Sequence, residues 1–191
     1  MNALKHGEIT EKIVDELMSG KAPEIIKIAA RYHDIERDFP DKVNTKNCRP
    51  EDYLARKLLH SANSVKIFIK HFSKNYDDDL VEDVLFLIAR HEIGGDRDAQ
   101  GGLLYVKDYS EKYNLNELAD VLFYADKLTF FEAEIEEYSK RGEEKLKNKI
   151  LFSINNLPED ILNIIKNKKY STKEIKNLVT NTIDEKIEMK K

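Results

Sequence analysis

Histidine is scarce in this chain. There are five, His6, His33, His60, His71 and His91, and imidazole is the side chain that titrates near neutrality and binds borderline metals in its neutral form. His33 is followed at once by Asp34, at the end of the apolar stretch AARYHDIER. Adjacent side chains on a helix point about 100° apart, but a His-Asp pair at a helix end can converge on a cation seated across that end. Imidazole nitrogen with carboxylate oxygen suits a metal such as Mn, Fe, Co or Zn. Asp126 is a second polar group in an unusual place. In LNELADVLFYADKLTFFEAE, Leu115, Leu118, Ala119, Leu122, Ala125 and Ala133 share one helix face, and Asp126 falls near its middle. A carboxylate there is costly unless it is paired or binds a metal. A salt bridge to Arg or Lys, a hydrogen bond to a buried helix end, or metal ligation would each satisfy it.

The other histidines leave alternatives open. His6 shares the stripe of Ile9, Ile13 and Leu17 if that helix extends back far enough, and is otherwise a frayed, exposed residue. His91 lies beside Val84 and Leu87, directly before Glu92-Ile93-Gly94-Gly95, a place that also suits a partly buried structural histidine. His60 lies opposite the main apolar stripe of its helix, with Ser64, Ile67 and His71. Either that helix is buried on two sides or His60 is exposed. His60 and His71 are separated by about 16 Å of helix rise, too far to share one ion.

The order of these residues is His6, then His33-Asp34, then His60, then His91, then Asp126, each about one helix-loop-helix step from the last. Over roughly residues 4 to 135 this resembles the HD superfamily of metal-dependent phosphohydrolases, whose signature H…HD…D extends in a two-metal branch to H…HD…H…H…D. The strings AARYHDIER, LLHSANSVKIF, ARHEIGG and FYADKLTFF carry the resemblance. The last three look like the branch that hydrolyses dinucleoside polyphosphates. The resemblance implies an all-α, HD-type helical bundle. It implies that His6, His33, Asp34, His60, His91 and Asp126 ligate one or two divalent transition metal ions (Mn, Fe, Co or Ni), with Asp34 bridging. Such ions lower the pKa of a bound water and orient the resulting hydroxide. The implied reaction is hydrolysis of a phosphate ester or anhydride, with a small phosphorylated substrate, a nucleotide, as partner. Glu36 is then a candidate general acid or base. Arg37, Arg56 and Lys127 are candidates to neutralise substrate phosphate, although ion pairing is the ordinary use of such residues. Two alternatives share the scaffold: a degenerate module that binds a nucleotide or a protein without turnover, and a two-iron oxygenase. The chain departs from many members in following HD with Ile35-Glu36-Arg37-Asp38, and in its long stretch from Gly94 to Asp120. Both departures fall where substrate would be read, so the substrate is not carried over.

The elements that must position these residues are helical by their apolar spacing. Ile9, Ile13 and Leu17 mark a helix closed by Ser19-Gly20, and Pro23 starts a second that carries Ile25, Ile28, Ala29 and Tyr32. Residues 38 to 49 read as a loop. Pro50-Glu51-Asp52 opens a long helix with Leu54, Leu58, Val65, Phe68, Ile69 and Phe72 on one stripe. Asp77-Asp78-Asp79 starts another, favourable to the helix dipole, running to His91. GGDRDAQGG reads as a mobile polar loop and lacks the Gly-Lys-Ser/Thr ending of a phosphate loop. Residues 103 to 113 are ambiguous. Leu115 to about Tyr138 is a strong helix, and 143–156, 158–168 and 171–188 are three more. The expected division is an HD-type domain over 1–140 and a C-terminal helical extension over 141–191, packed on the same domain.

Composition bounds the rest. Lys and Arg number 32 against 36 Asp and Glu, a formal charge of -4, which argues against a general nucleic-acid coat. Residues 141–191 hold 12 basic and 8 acidic residues, so a basic partner-binding surface is conceivable there. Cys48 is the one cysteine, which excludes an internal disulfide or a cysteine-based zinc site. MNALKHGEITEK has no apolar core of a secretory signal, and no apolar run is long enough to span a bilayer. A cytoplasmic location is expected.

Overall fold

A computed structural model describes residues 1–40, 52–99, 102–103 and 112–189. Asn2 begins the first helix: its side chain accepts from the Lys5 amide at 2.9 Å, satisfying one of the donors a helix start leaves open. Helix α1 spans Ala3–Leu17 and ends where Ser19 and Gly20 take positive φ of 55° and 75°, the conformation glycine adopts without penalty. Pro23 stands at the N-cap of α2, Glu24–Tyr32, whose first turn carries Glu24. A short 3-10 turn, Ile35–Asp38, follows. Helix α3 spans Tyr53–His71, α4 spans Asp78–Arg90, and α5 spans Leu115–Thr129. The chain then continues through a π-helical turn, Phe130–Glu134, into α6, Ile135–Ser139. Helices α7 (Glu143–Ser153), α8 (Glu159–Asn167) and α9 (Lys173–Glu188) complete it. The fold is all-α; among the described residues the only strand-like pairing is an isolated bridge between Arg97 and Leu103. Among those residues, too, no helix is long and apolar enough to cross a membrane. Cys48, the loop beyond residue 40, the expected start at Pro50-Glu51 and most of 103–113 lie outside the described residues.

Two compact units divide the chain, Met1–Asp126 and Lys127–Lys191. In the first, α2 packs on α1 and α4, while α3 packs on α4 and on the 3-10 turn. Val14, Ile26, Ala29, Ala30, Phe68, Val84, Leu87, Ile88, Ala119 and Leu122 form its core. In the second, Leu146, Ile150, Ile154, Ile161, Ile165, Val179 and Ile183 are buried. Thr172 caps α9 by accepting from the Ile175 amide at 3.2 Å. The buried Lys186 donates to the Ile154 carbonyl, an acceptor that α7 leaves at its C-terminal end.

Helix α3 corrects the expected face. Leu58 is 44% and Ile69 50% exposed, although the apolar stripe places them inward. Among the described side chains of α3 the buried ones are His60, Ser61, Ser64 and Phe68. Polar side chains can outcompete leucines for the interior when every one of them finds a partner there, and His60 does.

The approach of α1 to α2 is set by Gly7. A Cβ at that position would stand 2.1 Å from the Arg31 carbonyl oxygen and 2.7 Å from its carbon, both backbone atoms that cannot swing aside. The missing side chain lets α1 lie close enough for the adjacent His6 to reach across α2. Gly7→Ala is expected to lower stability by about 1–3 kcal/mol through overpacking, read as a shifted urea midpoint with an unchanged slope.

Candidate metal centre

Two of the histidines are fixed by the same device. His33 is the C-cap of α2, and its Nδ1–H donates to the Ala30 carbonyl at 2.7 Å. His91 is the C-cap of α4, and its Nδ1–H donates to the Ile88 carbonyl at 2.7 Å. Each bond satisfies one of the carbonyls that a helix end leaves open. Each also puts the proton on Nδ1, so Nε2 carries the lone pair. Both Nε2 atoms are buried and without a hydrogen-bond partner.

Asp34 lies between them, 1% exposed. Its Oδ2 faces His6 Nε2 at 3.6 Å and His33 Nε2 at 3.8 Å. Asp126 closes that side, with Oδ1 at 3.1 Å from His6 Nε2 and 3.4 Å from His33 Nε2. The other oxygen, Oδ1 of Asp34, lies 2.6 Å from His60 Nε2 and 3.7 Å from His91 Nε2. The ligand atoms of His6, His33, Asp34 and Asp126 lie within 4.8 Å of one another, and so do those of Asp34, His60 and His91. Donors held at about 2.1 Å from one ion stand about 3–4 Å apart; most of the separations here fall in that range, from 3.1 to 3.8 Å, and the His60–Asp34 pair is closer at 2.6 Å.

The electrostatics fit a cation. Burial opposes ionisation of Asp34, yet Arg37, His33 and His60 outweigh it and hold the carboxyl well below the usual carboxylate range. Burial also opposes charge on His60, but its bonds to Asp34 and Glu36 raise the imidazole above its ordinary value. Burial, reinforced by His33, pushes His91 down to about 3, leaving it neutral at pH 7. Arg37 Nη1 approaches Asp34 Oδ2 to 2.5 Å, but that oxygen lacks an aligned hydrogen bond. Two buried ring nitrogens, His33 Nε2 and His91 Nε2, therefore lack a hydrogen-bond partner beside Asp34, whose Oδ2 is ion-paired with Arg37. Such groups are expensive unless something binds them. The residues present fit divalent metal.

The remaining sequence candidates have these places in the chain. Glu36 is buried, and its carboxylate accepts from His60 Nδ1 at 2.7 Å. Arg37 has its side chain 49% exposed beside Asp34. Arg56 is half-buried one turn before His60 on α3. Lys127 is buried and follows Asp126 on α5.

Sequence reasoning missed the residues that hold the segment after His91. The Asp120 carboxylate accepts from the Gly95 amide at 2.8 Å and from the Arg97 guanidinium. Asn116, one turn earlier on α5, accepts from the Asp96 amide at 2.8 Å. Lys57 of α3 pairs with Glu92 at 2.9 Å, and Arg90 pairs with Asp96. Gly94 and Gly95 allow close approach. A Cβ on Gly94 would stand 2.6 Å from Asp120 Oδ1, and one on Gly95 2.3 Å from the Asn116 carbonyl. Only the polar pair Asn116 and Asp120, four apart on a helix otherwise rich in leucine and alanine, could have signalled this.

An all-α protein whose helix ends bring His and Asp donors into adjoining groups able to hold divalent metal belongs to a recognisable class. The family model for the HD domain matches residues 3–130, and the chain belongs to that family, a superfamily of metal-dependent phosphohydrolases. The matched span contains all six residues of the two donor groups. No curated protein and no solved structure matches the chain significantly.

Asp120→Ala is expected to leave the Gly95 amide without its acceptor and to cost about 1–3 kcal/mol. Hydrogen exchange at Gly95 and Asp96 should quicken while exchange in the α8–α9 region stays as it was.

Proposed function

We propose that this protein hydrolyses a phosphate ester or anhydride of a nucleotide, with two divalent ions held by a shared carboxylate. His6, His33, Asp34 and Asp126 hold one ion, and Asp34, His60 and His91 the other. The observation that carries the reading is the split of Asp34: one oxygen faces each donor group, and the buried Nε2 atoms of His33 and His91, without hydrogen-bond partners, lie one on each side. The bound ions would supply Lewis acidity and an activated water.

The chain's own residues do the rest. His33 and His91 present lone pairs fixed by their backbone bonds, so no reorganisation is needed before ligation. Asp34 sets the spacing between the two donor groups. Arg37 stands at the exposed edge, where its planar fork can meet phosphate oxygens two at a time. Arg56 and Lys127 are further candidates for that charge. The broad nucleotide class is supported by the likeness of LLHSANSVKIF, ARHEIGG and FYADKLTFF to the dinucleoside polyphosphate branch, whose particular substrate is not carried over.

The test begins with protein stripped by chelator and titrated with Mn, Co, Ni, Mg and Fe(II), with phosphate release followed over a nucleotide panel. Wild type is expected to bind about two ions per chain, His91→Ala one, and Asp34→Ala none. Asp126→Asn should lose metal affinity and turnover while melting in chelator close to wild type, because removing a charge from a crowded carboxylate cluster relieves it. Full metal binding by Asp34→Ala, or a large loss of stability by Asp126→Asn in chelator with affinity intact, would mean that the cluster is an ion-pair network rather than an active site.

A further inference from the structure

Glu36 is a carboxylate in the interior, 3% exposed, two residues beyond Asp34 on the 3-10 turn. Its Oε1 accepts from His60 Nδ1 at 2.7 Å, while His60 Nε2 lies 2.6 Å from Asp34 Oδ1. The His60 ring is thus gripped at both nitrogens by acidic residues of one short segment. A second bond ties the same elements, from the Glu36 amide to Ser64 Oγ at 3.5 Å, one turn along α3 from His60. His60 differs in this from His33 and His91, whose Nδ1 atoms donate to carbonyls of their own helices. His60 sits in mid-helix, where the carbonyls of its own turn are already engaged, so its orientation has to come from elsewhere.

We propose that Glu36 is the positioning residue of the second ion's site, fixing His60 with Nε2 toward Asp34, and not a proton donor or acceptor at the substrate. The proposal rests on the two-ion reading above. A carboxylate behind a ligating imidazole sets its tautomer and ring angle and makes it a stronger ligand, and loss of such a partner typically lowers metal affinity 10–100-fold. The amino-acid sequence around His33-Asp34 therefore governs both ions: Asp34 by direct contact, Glu36 through His60.

The test titrates chelator-stripped wild type, Glu36→Ala and Glu36→Gln with Mn(II) or Co(II) by calorimetry, alongside melting curves in chelator and turnover at saturating metal. Glu36→Ala is expected to bind the first ion as wild type does and to lose affinity for the second by about 10–100-fold. Glu36→Gln keeps an oxygen for the Nδ1–H, so it should recover part of that affinity, and turnover should return as metal is raised. If Glu36→Ala fails to fold in chelator, Glu36→Gln decides alone, by an affinity for the second ion below that of wild type. Two ions bound with wild-type affinity by either folded variant would overturn the proposal and leave the two-ion reading standing. Normal binding with turnover abolished in Glu36→Gln would do the same and assign Glu36 to proton transfer. A wild type that never takes a second ion would overturn both.

Discussion

A carboxylate with 1% of its surface exposed, Asp34, is the constraint around which the first unit is arranged. An uncompensated charge at such depth is not tolerated; Arg37 and His60 compensate it directly, while His33 and His91 turn lone pairs toward it, an arrangement that suits a cation between them. Four imidazoles and one guanidinium reach Asp34, from α1, α2, the 3-10 turn, α3 and the end of α4. The helices can converge there because their ends are made inexpensive to bury. His33 and His91 close two C-termini with their own rings, and what would be open carbonyls become fixed points for ligands.

The six residues His33 to Asp38 divide the work. His33 and Asp34 supply donors, Ile35 is buried in the core, Glu36 grips His60, and Arg37 pairs with Asp34. Asp38 turns back to α1, where its carboxylate accepts from the Ala3 amide at 3.0 Å and so caps the helix that carries His6. Negative charge at a helix start is favoured by the dipole as well as by the bond. A tight turn keeps successive side chains pointing in different directions, and that is how so short a segment reaches α1 and α3 and still contributes ligands of its own.

Much of this was legible in the residues. The all-α fold follows from apolar spacing, and the three C-terminal helices begin and end within a few residues of their expected places because each is amphipathic and punctuated. His33-Asp34 and Asp126 stood out because a polar group on an apolar stripe needs an explanation. Helix α3 is less legible for the converse reason. His60, Ser61 and Ser64 look like a solvent face until their partners are known, and those partners lie 24 to 30 residues away in sequence. Gly7 and Asp120 were invisible for the same cause. A glycine in a helix or an aspartate four residues from an asparagine is ordinary, and what makes each consequential is a backbone atom from elsewhere in the chain, the Arg31 carbonyl for Gly7 and the Gly95 amide for Asp120.

The distance in sequence between His6 and Asp126, 120 residues, bears on how the protein is made. A ribosome releases the chain from the N-terminus onward, so α1, α2 and the HDIERD turn can associate early, with His6, His33 and Asp34 assembled around a gap. The donors of the other group, Asp34, His60 and His91, all emerge before Asp126 does. Until the intervening segment and α5 are synthesised, one candidate donor group has all its residues and the other lacks its last. The order of translation thereby separates two groups of side chains that the finished fold places side by side.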